Sequence, residues 1–255
     1  MYAHVPYFNE RARPRWSLGA CLRDWTRANL TVHTFGSSLI SAIICFVVDD
    51  KKAAVLQKVN ARPFRVLPFI GKLAVIRAIV DVSFYGIHRL LHTRPLYGAL
   101  HKYHHTHYTT ALPTNFHFTA TDLLLEAFVP LFIGMRFVDG VLGMPSSMLE
   151  VYLFTGYIQW FEIASHSGKE VPTVSYFPPL APLYAHEAAL GPECDARNVA
   201  FHDMHHGLVR CNYGITQWMD MLLGTRRMPG DDSTDRKMTT KKVVAGGAEA
   251  VEMSR

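Results

Sequence analysis

The sequence predicts an all-α integral membrane protein with about four transmembrane helices in two hairpins and a cytosolic helical cap. Three observations support this fold class. Apolar residues make up 49% of the 255-residue chain and charged residues only 18%, whereas charged residues are about a quarter of a typical soluble domain. Long apolar segments recur along the chain, and most of the 14 histidines lie in the polar segments between or after them.

The first apolar segment, residues 30–48, is the clearest candidate for a membrane-spanning helix. Its nineteen residues carry no formal charge, and a helix of about 20 residues crosses a hydrocarbon core of roughly 30 Å. Basic residues favour the cytoplasmic end of a membrane helix, so the preceding arginines indicate a cytosolic arm over residues 1–28. These arginines are Arg11, Arg13, Arg15, Arg23 and Arg27.

Three further apolar segments, residues 66–87, 123–144 and 148–163, are interrupted by charges. An ionised side chain at mid-membrane costs about 2.5–3.5 kcal/mol on insertion scales. We therefore expect these side chains to face the protein interior, water or the membrane interface. Amphipathic helices of a soluble protein are the alternative for all three segments. The charged residues in these segments include Lys72, Arg77, Asp81, Glu126, Arg136, Asp139 and Glu150.

Counting crossings from a cytosolic N-terminus places all the histidine motifs on one side of a multi-pass membrane protein. Two crossings return the chain to the cytosol at His88, and two more return it there at His166. The expected organisation is therefore a cytosolic arm, a membrane-embedded domain over residues 29–228 and a tail over residues 229–255. The tail lacks apolar periodicity and is expected to be disordered.

The charge and the cysteines exclude other classes of protein. The net charge is +5 and the isoelectric point is near 9.0, but beyond the N-terminal arginines the cations form no basic stripe. We therefore expect no nucleic-acid partner. The four cysteines are widely spaced and include no CxxC pair, which excludes a disulfide scaffold and a zinc ribbon.

Three histidine motifs point to metal binding. An HxxxH motif begins at His88, and HxxHH motifs begin at His101 and His202. On a helix, residues at i, i+3 and i+4 share one face, so each motif directs its imidazoles to one point. A single HxxxH is more often structural, but three such motifs are hard to explain by packing, because buried imidazoles without partners are costly. Neutral imidazole binds iron, copper, nickel and zinc.

The number of histidines predicts two metals, because the motifs supply more ligands than one tetrahedral zinc requires. The zinc-protease motif HExxH is absent, since Arg89 follows His88. The Glu-x-x-His pairs of ferritin-like di-iron bundles are also missing. Two redox irons held mainly by histidines are the preferred interpretation, and zinc hydrolase chemistry is the second.

The order of the motifs resembles the fatty acid hydroxylase and sterol desaturase superfamily. It includes sterol C4-methyl oxidases, sterol C5-desaturases and cholesterol 25-hydroxylase. The similarity runs from Asp81 to Thr225 and includes His166-Ser-Gly and the Asn-Tyr-Gly after the last motif. It implies a membrane enzyme of the endoplasmic reticulum with two non-haem Fe ions, O₂ as co-substrate, and electrons from NADPH or NADH through cytochrome b5 and its reductase.

Carried over position by position, the resemblance implies nine metal ligands and leaves the roles of three further histidines open. His107, His117 and His186 are candidates for ligand, ligand-supporting, core or surface roles. Asp81 and Asp203 are expected to accept a hydrogen bond from a ligand's second ring nitrogen, with a salt bridge to Arg77 as the equal alternative for Asp81. The implied ligands are His88, His92, His101, His104, His105, His166, His202, His205 and His206.

Three functions are consistent with these residues and with the resemblance. The leading hypothesis is an oxygenase that hydroxylates a C–H bond of a lipid-like substrate reached from membrane lipid. A sterol, an acyl chain and a terpenoid or polyketide intermediate all remain open as substrates. A desaturase is the first alternative, and a non-catalytic zinc-binding membrane protein is the second. No His-Pro-Gly-Gly haem motif occurs, so the electrons are expected to come from a partner.

Overall fold

A computed structural model of the protein describes residues 18–30, 50–168 and 198–228. Every regular element in these ranges is helical, which confirms the predicted all-α class for this part of the chain. The first apolar segment lies outside the described residues except for Leu30. His186 and the predicted tail also lie outside them.

Two of the three charged apolar segments form continuous helices, and the third does not. Residues 66–87 lie within α3 and residues 148–163 within α5, whereas residues 123–144 alternate between α and π turns. The main described helices are α1 Leu18–Leu30, α2 Asp50–Asn60, α3 Val66–Leu91, α4 Val129–Arg136, α5 Met148–Ser165, α6 Asn198–Leu208 and α7 Trp218–Leu222. The shorter pieces are the α turns Arg94–Leu96 and Ala120–Leu123, the 3₁₀ turns His104–Thr106 and Leu112–Phe116, and the π turns Tyr97–His101, Leu124–Phe128 and Phe137–Val141.

Helix α3 connects the hydrophobic core to the histidine motifs. Pro68 lies in its first turn, where the amide hydrogens have no partner within the helix, so the proline removes no helical hydrogen bond. The buried apolar stripe repeats every three or four residues and consists of Phe69, Leu73, Ile76, Val80 and Phe84. His88 is the next residue on this stripe. The face that packs the core therefore also carries the first histidine.

Helices α4 and α5 complete the core against α3. Phe69 of α3 stacks on Phe154 of α5 with ring centroids 5.1 Å apart, and Phe154 is fully buried. Gly134 of α4 allows the closest approach to α3, because a Cβ there would lie 3.2 Å from both Cγ2 and the carbonyl oxygen of Ile76. Burial of each large apolar side chain stabilises the fold by about 1.5–3 kcal/mol.

Most of the charged residues in the apolar segments face the protein interior, which is one of the three environments that the sequence allows for them. Lys72 Nζ lies 2.9 Å from Glu150 Oε2, and Lys72 also donates to the carbonyl of Pro145 at 3.0 Å. Asp139 is half-buried and accepts from the backbone and hydroxyl of Ser146. Both acidic groups therefore have donors within the protein.

Arg136 departs from this pattern because its side chain is exposed at the end of α4.

Among the described residues, no helix is at once long enough and apolar enough to cross a membrane. The four crossings in two hairpins therefore stay a prediction.

The described helices present many large apolar side chains on their outer surfaces. Leu67 of α3 is 80% exposed, Tyr152 of α5 is 71% exposed and Val141 is 69% exposed. Phe132 of α4 is also exposed. Soluble monomers rarely expose large contiguous apolar areas, and such areas mark sites that contact lipid or another protein.

The close approach at Gly134 leads to a test of the helix packing. Gly134→Val is expected to lower the free energy of unfolding by about 1–3 kcal/mol more than Gly71→Val, because its side chain collides with Ile76. Gly71 is a matched control on α3, where an added Cβ meets nothing within 4 Å. Chemical unfolding of both purified variants measures the difference, and equal losses would show that α3 and α4 do not approach as described.

Candidate metal centre

The nine histidines implied as ligands converge in two adjacent clusters. Within each cluster, one ring nitrogen of each histidine lies within 4.8 Å of the corresponding nitrogen of every other member. The first, named the five-histidine cluster, contains His88, His92, His101, His105 and His205. The second, named the four-histidine cluster, contains His104, His166, His202 and His206. The clusters adjoin, because the rings of His105 and His206 are 4.6 Å apart between centroids.

Each histidine motif is held by a different kind of backbone. His88 lies in the last turn of α3 and His92 caps that helix. The last motif lies on α6, and His166 caps α5. The expectation that all of 101–105 lies on one helix is wrong, because His101 ends a π turn and His105 has non-helical dihedral angles in a 3₁₀ turn.

The five-histidine cluster has the spacing of a metal site. Nitrogens bound to one metal at about 2.1 Å lie roughly 3.0–3.4 Å from one another. The distances between neighbouring Nε2 atoms match this separation. They are 3.2 Å between His92 and His88, 3.2 Å between His88 and His101, 3.0 Å between His101 and His105, and 3.1 Å between His105 and His205. The donor set of neutral nitrogens therefore fits a transition metal.

The four-histidine cluster has comparable geometry. His202 Nε2 lies 2.9 Å from His166 Nε2. His206 Nε2 is buried without a hydrogen-bond partner among the described residues, and its ring centroid is 4.7 Å from that of His104. A buried nitrogen in this position is costly unless it binds a cation or a donor.

Backbone carbonyls and one carboxylate fix the orientation of several rings. A carbonyl oxygen can only accept, so the ring nitrogen facing it must donate, and the lone pair of Nε2 is then directed into the cluster. The Nδ1 donors and their acceptors are His88 to Tyr213 O at 2.7 Å, His205 to Cys211 O at 2.7 Å, His166 to Glu162 O at 2.8 Å, His206 to His107 O at 3.1 Å, and His101 to Asp122 Oδ1 at 2.8 Å.

Burial keeps eight imidazoles of the two clusters neutral. It lowers the pKa of His205 to about 3 and that of His166 to about 4. For the other affected histidines, burial acts first and the neighbouring imidazoles add to it. The pKa is lowered in this way for His88, His92, His104, His105, His202 and His206. Neutral imidazole is the form that binds a metal.

The turn after α6 places two of the carbonyl acceptors. Val209 and Asn212 have φ angles of 67° and 57°, and a positive φ is an outlier for a β-branched residue such as Val209. The Asn212 side chain bonds to the carbonyls of Phe201 and Arg227 and to the amide of Arg227. These bonds hold the turn against α6 and against the segment after α7.

Asp220 of α7 fixes the remainder of this turn. Its carboxylate accepts from the amides of Tyr213 at 2.9 Å and Gly214 at 2.7 Å, and from the hydroxyl of Thr225 at 2.6 Å. A Cβ on Gly214 would lie 2.4 Å from the carbonyl oxygen of Thr216, so glycine is required there. The Asn-Tyr-Gly segment of the sequence resemblance therefore supports the ligands through its backbone.

Two carboxylates expected to support histidines have other partners. Asp81 Oδ1 lies 2.6 Å from Arg77 Nη1, and its Oδ2 accepts from Thr216 and Trp218. The salt bridge with Arg77, the equal alternative, is therefore the observed arrangement. Asp203 Oδ1 accepts from the backbone amide of Thr110 at 2.8 Å.

Sequence reasoning missed Asp122 as the carboxylate that binds a histidine. Asp122 is fully buried at the start of the third apolar segment, and the side chain of Thr119 caps its helical turn. Its contact with His101 spans 21 residues along the chain. No local spacing signals this pair.

Two of the histidines whose roles were left open, His107 and His117, lie beside the clusters. The His117 ring contacts Asp24 Oδ2 of α1 at 2.8 Å and stacks on Tyr103. Arg27 of α1 binds both Asp24 and Tyr103. The backbone carbonyl of His107 accepts from His206. Helix α1 is therefore anchored by polar contacts to the segment that carries His104 and His105.

The helical fold and the paired histidine clusters define a helical protein with a candidate metal centre. A family model described as fatty acid hydroxylase matches residues 73–225, a range that includes all nine candidate ligands. Because this match covers more than half of the chain, the chain belongs to the fatty acid hydroxylase family. The resemblance predicted from the motifs is confirmed, and the family indicates an oxidoreductase.

Curated relatives of the chain act in sterol metabolism according to their names. Methylsterol monooxygenase 2-1 of Arabidopsis thaliana is 30% identical over 152 residues, which are 58% of this chain and 52% of that protein. Delta(7)-sterol-C5(6)-desaturase of Nicotiana tabacum is 26% identical over 172 residues, 67% of this chain and 55% of that protein. Cholesterol 25-hydroxylase of Mus musculus is 26% identical over 161 residues, 62% of this chain and 47% of that protein. The chain thus spans about half the length of these relatives. No solved structure matches it.

The lowered pKa values predict that acid destabilises the metal-free protein. An unfolded histidine takes up a proton near pH 6.5, whereas folded His205 and His166 do so only near pH 3 and 4. The unfolded chain therefore binds more protons as the pH falls from about 6.5 to 4. Each such histidine removes about 1.4 kcal/mol of stability per pH unit in this window. Above pH 7 the histidines no longer change the free energy of unfolding with pH.

Denaturant unfolding of metal-depleted protein between pH 8 and 5 measures this effect. His205→Gln is the matched variant, because it lacks one of the histidines and is expected to show a shallower decline below pH 6. Equal stability of the wild type at pH 7 and pH 5 would contradict the buried, neutral state of the clusters.

Proposed function

We propose that the chain is a membrane-bound non-haem di-iron oxygenase that hydroxylates a C–H bond of a lipid-like substrate. The observation that carries this proposal is the pair of adjacent clusters of neutral histidines. Membership of the fatty acid hydroxylase family supports the same reaction class. The proposed ligands are the nine histidines of the two clusters, and the proposed catalytic domain is residues 29–228.

Iron is the metal proposed for both clusters. Imidazole suits iron, copper, nickel and zinc alike, and the family favours iron because its reaction is an oxidation. Two irons would supply O₂ activation with electrons delivered from outside the chain. The protein's own residues hold the ligands: the carbonyls of Tyr213, Cys211 and His107 orient rings in both clusters. Asp122 accepts from His101 and raises its basicity as a ligand.

The exposed apolar surface supports a membrane location for the protein. Leu67, Tyr152 and Val141 are among the large apolar side chains exposed on α3, α5 and the π turn after α4. We propose that these faces contact lipid of the endoplasmic reticulum and that the clusters face the cytosol. Cytochrome b5 and its NADPH- or NADH-dependent reductase are the proposed electron donors.

A sterol is the proposed substrate class, because the names of several relatives specify sterols. An acyl chain and a terpenoid or polyketide intermediate are the remaining lipid-like candidates. A desaturase is the second candidate function, and the similarity to the tobacco sterol C5-desaturase favours it. Both reactions begin by removing a hydrogen atom from a C–H bond. Hydroxylation then adds an oxygen atom at that carbon, whereas desaturation removes a second hydrogen from the neighbouring carbon.

Product analysis with isotopically labelled O₂ tests the proposed function. The protein, supplied with NADPH, cytochrome b5 and its reductase, is expected to add one labelled oxygen atom to a sterol from a panel of sterols and acyl lipids. An unlabelled product with a new C=C bond would establish the desaturase instead. Active-site metal consisting of zinc alone, with no product from any lipid, would support the non-catalytic alternative.

The His205→Ala variant tests whether the clusters carry the activity. The variant is expected to lose at least about 100-fold in product formation, because His205 belongs to the five-histidine cluster and is fully buried. His4→Ala is the control, since His4 belongs to no histidine motif and lies outside the family match. Full activity of the His205→Ala variant would exclude that cluster as the site of the reaction.

A further inference from the structure

Glu126 is a buried carboxylate that the histidine motifs do not explain. It lies in the third apolar segment, and only 6% of its surface is exposed. Its Oε1 atom lies 3.3 Å from His88 Nε2 and 3.4 Å from His101 Nδ1. This oxygen has no hydrogen-bond partner in the part of the chain that the structure describes. The carboxylate therefore lies at the edge of the five-histidine cluster, where it forms a third group of possible ligands with His101 and Asp122.

The charge of Glu126 has no basic partner among the described residues other than histidine rings. The buried cations on α3 are engaged elsewhere, since Lys72 pairs with Glu150 at 2.9 Å and Arg77 with Asp81 at 2.6 Å. The nearest basic groups to Glu126 are the rings of His88 and His101. A carboxylate removed from water without a compensating charge costs several kcal/mol. A cation beside Glu126 would remove this cost.

The backbone around Glu126 is also unusual. Glu126 is the central residue of the π turn Leu124–Phe128, and His101 ends the π turn Tyr97–His101. Such turns interrupt regular helices and occur frequently at functional sites. The two π turns bring the Glu126 carboxylate beside the His101 ring.

Orientation of His101 does not require Glu126, because Asp122 already performs that task. Asp122 Oδ1 accepts from His101 Nδ1 at 2.8 Å, which is shorter than the 3.4 Å contact of Glu126. By contrast, the 3.3 Å from Glu126 Oε1 to His88 Nε2 matches the roughly 3.0–3.4 Å between two ligand atoms of one metal. His88 Nε2 is the nitrogen that faces the cluster, since His88 Nδ1 bonds to Tyr213.

We propose that Glu126 is a carboxylate ligand of the metal held by the five-histidine cluster. This inference rests on the proposed function, because it requires that the cluster binds a metal. An anionic oxygen donor favours iron or manganese over copper(I) and adds a negative charge that five neutral imidazoles lack. The four-histidine cluster has no such carboxylate among its described members. The two metal sites therefore differ in charge and in donor type.

Anaerobic titration of the metal-depleted protein with Co²⁺ tests the inference without any measurement of activity. Wild-type protein is expected to bind two Co²⁺ ions per chain with two distinct visible absorption bands. In Glu126→Gln, the band of one ion is expected to shift and its affinity to fall by at least about 10-fold. Glu126→Asp retains the carboxylate and is expected to keep two ions.

Asp122→Asn is the matched control, because it alters the support of His101 without removing the proposed ligand. Its affinity for one Co²⁺ is expected to fall about 10- to 100-fold, with the visible spectrum of the bound ion unchanged. A wild-type spectrum and affinity in Glu126→Gln would overturn the inference. Failure of the wild type itself to bind two ions would instead contradict the proposed function.

Unfolding measurements give a second, independent readout on Glu126→Gln. Without metal, the variant is expected to unfold at about the same denaturant concentration as the wild type, because glutamine has nearly the same size and shape as glutamate. With Co²⁺, it is expected to gain less stability than the wild type gains. A variant destabilised equally with and without Co²⁺ would indicate a purely structural role for Glu126 and would overturn the inference.

Discussion

The protein depends on one constraint: nine buried imidazoles must share a small volume. Burial lowers the pKa values of rings such as His88, His105 and His206, and the neighbouring rings add to the penalty on a protonated form. A neutral imidazole has one donor nitrogen and one acceptor nitrogen. Protein acceptors bind the donor of rings such as His88 and His205, and the free lone pairs converge on two points. Converging lone pairs of this kind suit the binding of cations.

Much of the surrounding structure serves to place acceptors for these rings. Asp220 holds the amides of Tyr213 and Gly214, and this places the Tyr213 carbonyl against His88. Asp81 is joined to Thr216 and Trp218 and so ties α3 to the same turn. Asp81, which sequence reasoning offered as an acceptor for a histidine, therefore contacts the turn whose backbone carbonyls orient the rings.

The sequence predicts those parts of the structure that depend on local spacing. Helices α3 and α5 are indicated by long apolar segments. The three spaced motifs identify eight of the nine histidines that converge, and the family resemblance adds His166. Contacts between distant segments cannot be found in this way. Asp122 and Glu126 reach His101 only through π turns and tertiary packing. The Asp24–His117 contact joins residues 93 positions apart.

The central claim is that each histidine cluster holds one metal. An anomalous difference map at the iron absorption edge, from crystals of iron-loaded protein, tests this claim most directly. We expect two peaks in each chain, one enclosed by the five-histidine cluster and one by the four-histidine cluster. A single peak between the clusters, or peaks at histidines outside them such as His107 and His117, would contradict it.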